Sequence, residues 1–216
     1  MTPVFRLPLT LSLTLLLATS ASLHAEEHAG ADKSAAREVP ETLHAETSGS
    51  VRIDGKSIDY AATAGTLVMK NDAGEPIAHF GYTAYTREGV DTSGRPILFA
   101  YNGGPGSASM WLHMGILGPQ RADVKDTAFT TSGPFRYVDN EYSILDRADL
   151  VMIDPVGTGF SRAVGEGKSE DFWGVDNDIR SVSDFIARYV TQAGRWASPK
   201  YLLGESYGGI RSGGVS

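Results

Sequence analysis

The stretch that most restricts the fold of this chain runs over residues 175–209. Val175, Ile179, Val182, Ile186, Tyr189 and Val190 recur at helical spacing, with Phe185 beside them, and this apolar stripe predicts a helix over residues 175–193. Asp176 and Asp178 fall in its first turn, where the helix dipole favours negative charge, and Gly194 closes it. Lys200-Tyr201-Leu202-Leu203 then predicts a short buried strand that runs straight into Gly204-Glu205-Ser206-Tyr207-Gly208. Upstream, residues 96–101 and 150–153 are nearly continuous apolar runs, the pattern of strands covered on both faces of a parallel sheet. Strand, helix and strand in this order require a crossover connection and hence a parallel sheet.

The region before these runs is patterned differently. Val51-Arg52-Ile53 and Ile58-Asp59-Tyr60 flank a turn at Asp54-Gly55. Residues 66–69 and 77–80 flank a second turn over residues 71–74, and residues 82–86 extend the second arm. These predict an antiparallel opening sheet in which His79 is an ordinary strand residue. The whole is an α/β arrangement of one domain, in keeping with a length of 216 residues. A hydrophobic content of 41% sets it apart from a disordered chain, and a net charge of −7 without a Lys/Arg cluster excludes nucleic acid as a default partner.

The first residues predict export. Arg6 precedes an apolar run over residues 7–18, and small residues lead to Ala21 or Ala25 ahead of Glu26-Glu27. A run of this size suits a signal peptide over residues 1–25 and falls short of the roughly 20 residues a bilayer span needs, so no stable membrane anchor is expected. The product would be periplasmic or secreted. An uncleaved anchor is the competing reading. Residues 26–48 are rich in Ala, Glu and His without apolar periodicity and read as a polar leader; His28 and His44 lack metal-site spacing. The folded domain is expected over residues 49–216. With no cysteine, it must be held by an ordinary buried core although export would permit disulfides.

The Gly-x-Ser-x-Gly form of residues 204–208, placed at the end of a strand, predicts a sharp strand-to-helix turn. Such a turn holds Ser206 in a strained conformation and projects its hydroxyl, as in the α/β-hydrolase fold. Asn102-Gly103-Gly104-Pro105-Gly106 follows an earlier strand, where this fold places a backbone N–H donor of the oxyanion hole. Nucleotide binding is disfavoured: neither Gly-rich loop ends in Gly-Lys-Ser/Thr, and Arg162 stands where a dinucleotide fingerprint needs Gly or Ala.

Asn102-Gly103-Gly104-Pro105-Gly106-Ser107, Gly118-Pro119, residues 154–161 and Gly204-Glu205-Ser206-Tyr207-Gly208-Gly209 occur in this order. Together they resemble the serine carboxypeptidases, in particular a cysteine-free bacterial branch, over residues 96–209. The resemblance implies an N-terminal half of an α/β-hydrolase domain. It implies Ser206 as nucleophile, and Gly104 and Tyr207 as backbone donors to the oxyanion. It implies Asn102, Gly103 and Glu205 as residues that hold the end of a peptide with a free C-terminus. It implies no metal and no organic cofactor. Three positions depart from the family. Ile116 stands where a Glu commonly pairs with the residue matching Glu205, so the shared proton that lets two carboxyls receive a carboxylate is lost, and altered or relaxed specificity is expected. Ser107 replaces a frequent Cys, and Ala100 a frequent Trp.

In this fold the acid and base follow the nucleophile in the order Asp, His. The ten residues after Ser206 contain neither, and Ser212-Gly213-Gly214 is a poor helix continuation. The expectation is a chain that ends before its triad is complete, inactive and poorly soluble by itself. A triad from upstream residues, His113 and Asp154, is the rival, but that order belongs to an all-β fold. An esterase or acyltransferase on the same scaffold and an inactive remnant are the other readings.

Overall fold

The computed structural model describes residues 38–124 and 136–216. The segment expected to direct export lies outside the described residues. Among the described residues no helix is long and apolar enough to cross a membrane.

Three long strands open the fold: β1 (His44–Ile53), β2 (Lys56–Lys70) and β3 (Pro76–Arg87), paired antiparallel in sequence. β4 (Ile97–Tyr101) leads through the Gly-rich loop to a single helical turn, α1 (Met110–Leu112), and a wider turn over His113–Leu117. A small ribbon of β5 (Gln120–Ala122) and β6 (Tyr137–Asp139) stands apart from the main sheet. β7 (Asp149–Ile153), the short β8 (Arg162–Ala163), α2 (Val175–Gln192), β9 (Lys200–Gly204) and α3 (Tyr207–Val215) follow.

The main sheet runs β1-β2-β3-β7-β4-β9, with β8 beside β3. β3 meets β7 antiparallel, whereas β7, β4 and β9 are parallel, so this is the mixed α/β sheet expected from the sequence. α2 supplies the crossover to β9. The two apolar runs are central strands because both of their faces are covered. Phe99, Tyr101, Val151 and Ile153 meet Val182, Phe185 and Val190 of α2 on one face. Leu98, Ala100, Leu150 and Met152 meet Leu112, Leu117 and Leu145 on the other. The period of two along each strand sorts the residues between the two cores.

Two elements differ from the sequence-based expectation. β1 begins at His44, inside the segment read as polar leader, and residues His44–Ser48 pair with Gly65–Ala61 of β2. Its first half is exposed, so the backbone ladder alone holds it and no hydrophobic alternation marks it. α3 continues as a helix through Ser212-Gly213-Gly214. One of the glycines that lower its propensity lets it approach α2: a Cβ on Gly214 would overlap the side chain of Ile179. Tertiary packing overrides propensity here.

Candidate active site

Strand β9 ends at Gly204 and helix α3 begins at Tyr207, leaving two residues for the reversal. The Glu205 N–H continues the ladder to the Tyr101 carbonyl (3.2 Å), and the Gly208 and Gly209 N–H groups already donate to Glu205 and Ser206 (2.8 and 2.9 Å). Ser206 is therefore forced to φ 56°, ψ −122°, a conformation costly for a residue with a Cβ. Gly204 is required by the same crowding, since a Cβ there would overlap the Gly208 carbonyl. Ser206 and Glu205 are exposed at the carboxyl end of the parallel strands.

β4 is the immediate neighbour of β9, so its outgoing loop lands on the elbow. Gly103 packs so closely that a Cβ would stand 2.5 Å from the Tyr207 nitrogen and 2.6 Å from the Glu205 carbonyl oxygen. Gly104 follows at φ 103°. Neither the Tyr207 nor the Gly104 N–H donates to a backbone acceptor among the described residues. Tyr207 is the first residue of its helix, where N–H groups have no intrahelical partner and the dipole favours negative charge.

Asn102 sits between loop and elbow. Its Oδ1 accepts from the Leu112 N–H (3.1 Å) and its Nδ2 donates to Glu205 Oε2 (3.2 Å). Asn102, Glu205, Ser107, Trp111, Leu112 and Ile116 line a cleft of about 330 Å³. A larger cleft of about 820 Å³, mostly apolar, lies beyond Trp111 and reaches the β1–β2 edge, but none of residues 204–208 lines it. The smaller cleft is the one that adjoins the elbow, through Glu205. All six residues singled out from the sequence thus lie at one place, around the elbow and the loop that faces it.

The sequence reading missed the group beneath them. Arg211 is 1% exposed. Its Nε and Nη2 donate to Asp178 of α2 (2.8 and 3.1 Å), and its Nη1 donates to the Asn102 carbonyl (2.9 Å). The guanidinium lies 5.1 and 5.3 Å from the ring centroids of Tyr101 and Tyr207. One side chain therefore ties the elbow helix, the crossover helix and the Gly-rich loop together, with its charge compensated. Burial, followed by the charge of Asp178, raises the Tyr207 phenol. A signal was available: Asp178 falls on the apolar stripe of its own helix, three residues after Val175 and four before Val182, where a lone acid needs a buried partner.

His113 and Asp154, the rival triad, are occupied elsewhere. Asp154 Oδ1 accepts from the N–H and hydroxyl of Ser109 (both 2.8 Å), pinning the Gly-rich loop to the end of β7. His113 Nε2 is 2.6 Å from the Tyr85 hydroxyl. Burial lowers the His113 pKa below its ordinary 6.5, with Asp154 opposing, and burial pushes Tyr85 up to about 12. His79, buried in β3, is lowered by burial as well. Both histidines thus fold neutral. As pH falls through 6.5 the unfolded chain takes up protons that the folded chain refuses, so stability is lost toward acid pH. His113→Asn should make the decline of the melting temperature between about pH 7 and about pH 5 shallower, leaving the share of His79. Thermal unfolding across that range checks this, and an unchanged slope would refute it.

The same stretch of sequence connects the chain to known proteins. Its similarity extends to the pheromone-processing carboxypeptidase KEX1 of Saccharomyces cerevisiae strain S288c, at 36% identity over 131 residues, which is 53% of this chain and 16% of that protein. The KEX1 of strain JAY291 matches at the same identity, with 15% of its length covered. The chain therefore spans about a sixth of these relatives. The family model for serine carboxypeptidases (peptidase S10) matches residues 60–211, from the first third of the second strand to the arginine beneath the elbow, and the chain belongs to that family.

Proposed function

We propose that the protein is an exported serine-type carboxypeptidase that removes C-terminal residues of peptides through an acyl-enzyme on Ser206. The observation that carries this reading is the elbow itself: Ser206 at φ 56°, with Gly103 of the facing loop packed against the Tyr207 nitrogen. Ser206 Oγ attacks the carbonyl of the last peptide bond. The Tyr207 and Gly104 N–H groups, uncommitted to backbone acceptors, receive the oxyanion, a contribution of about 10²–10³ in rate per donor. Asn102, Gly103 and Glu205 hold the end of the substrate. Water then releases the shortened peptide. In this fold the orienting acid and the base follow the nucleophile in the order Asp, His, and residues 1–25 direct export to the periplasm or medium.

The test uses protein expressed from its natural reading frame, with N-blocked dipeptides as substrates and mass spectrometry of the protein after a fluorophosphonate. A single adduct on Ser206 is expected, with Ser206→Ala losing at least about 10⁴-fold in kcat. Turnover that survives Ser206→Ala would overturn the assignment.

A further inference from the structure

The smaller cleft has an unusual balance of charge for a site that receives the end of a peptide. Glu205 is the only ionisable group among its six lining residues. Its one side-chain hydrogen bond among the described residues is the 3.2 Å contact from Asn102 Nδ2. Leu112 N–H donates to Asn102 Oδ1, which fixes the amide orientation, so the nitrogen faces Glu205 and keeps one hydrogen for a ligand. Arg211 does not compensate it: it lies beneath the loop, bonded to Asp178 and to the Asn102 carbonyl, and does not line the cleft. Among the described residues no second carboxyl lines it with which Glu205 could share a proton, and Ile116, 56% exposed, forms that wall.

A free peptide carboxylate brings only acceptors and a negative charge, and here it would meet an acceptor-only carboxylate with no compensating charge. A carboxamide brings the matching set. One of its N–H groups donates to Glu205, and its carbonyl accepts from Asn102 Nδ2. It carries no charge to repel. We propose that the leaving-residue subsite formed by Asn102, Ile116 and Glu205 selects peptides ending in a neutral carboxamide over peptides ending in a free carboxylate. This rests on the hydrolase reading of Ser206. In the reaction the last backbone C–N bond breaks as the acyl carbon passes to Ser206 Oγ. The nitrogen takes up a proton and leaves as an amino-acid amide. Water then displaces Ser206, giving the shortened peptide a new carboxyl terminus.

The experiment compares two N-blocked dipeptides of one sequence, one ending in a carboxylate and one in a carboxamide, on protein expressed from its natural frame. Binding is measured by calorimetry on the Ser206→Ala protein, and turnover on the parent by mass detection of the released amino acid or amino-acid amide. The carboxamide should bind at least about tenfold tighter. Glu205→Gln should improve binding of the carboxylate by a similar factor, and Ile116→Glu should narrow the preference by restoring a proton-sharing pair. Both positions are exposed, so folding is retained. Equal or tighter binding of the carboxylate, or binding of neither peptide, would overturn the proposal. If the preference holds in binding while the parent turns over neither peptide, the hydrolase reading fails and the subsite stands. If the parent hydrolyses the free acid preferentially, the subsite fails and the hydrolase reading stands.

Discussion

Asp149→Ala should lower the melting temperature of the protein by about 8–16 °C, an effect on the scale of about 4 kcal/mol. Asp149 opens β7 at the end of the sheet remote from Ser206. Its Oδ1 accepts from Arg95 Nε (2.8 Å) and the Arg87 N–H (3.0 Å), and its Oδ2 accepts from Arg195 Nη1 (2.7 Å). The three side chains are only 2%, 9% and 6% exposed, in the order Asp149, Arg95, Arg195. A buried ion cluster of this kind adds little over an apolar packing of the same volume, but removing its one anion leaves two guanidinium groups buried without a counter-charge. Arg195 also donates to the Arg95 carbonyl and to Ser198, so the cluster fastens the loop before β9 to the starts of β4 and β7. Asp149→Asn keeps the shape and loses the charge, and should cost nearly as much. Thermal unfolding of both variants checks the argument. A melting point near that of the parent would show that water or a rearranged arginine relieves the charge.

That cluster also shows where sequence reading stops. The central strands were legible because burial on both faces leaves a continuous apolar run, and α2 because burial on one face leaves a period. The elbow was legible because glycine is the only residue that fits at Gly204. Asp149, by contrast, stands just ahead of an apolar run, and its partners lie 54 and 46 residues away in the chain. No local period connects them. Arg211 is hidden for the same reason, and although Asp178 falls on the apolar stripe, an acid in a first helical turn already has a local explanation in the helix dipole, which masks its long-range partner. β1 escaped at its start because an exposed strand is held by backbone bonds that any residue can make. The candidate site residues could be named together from the sequence because they belong to two loops with demanding backbone geometry, whereas the arginine supporting both loops is demanded only by the tertiary arrangement.

The sharpest test of that arrangement is Gly103→Ala. The added methyl would stand 2.5 Å from the Tyr207 nitrogen, 2.6 Å from the Glu205 carbonyl and 2.8 Å from the Gly208 nitrogen. All three are backbone atoms at the start of α3, itself clamped to Asp178 and to the Asn102 carbonyl through Arg211. The elbow therefore cannot yield, and the loop carrying Gly104 must move outward. That motion separates the Gly104 and Tyr207 N–H groups proposed to receive the oxyanion and stretches the Asn102–Glu205 contact. In protein expressed from its natural frame, kcat should fall by at least about 10²–10³, the loss seen when one oxyanion donor is removed. Gly213→Ala is the control. It lies in the exposed part of α3 with nothing within 4 Å of a new Cβ, and should gain about 0.5–1 kcal/mol of stability from helix propensity. Measured side by side, the two glycine-to-alanine changes separate close backbone approach from propensity. A Gly103→Ala enzyme with the kcat of its parent would mean that the loop and the elbow do not act together on the substrate oxygen.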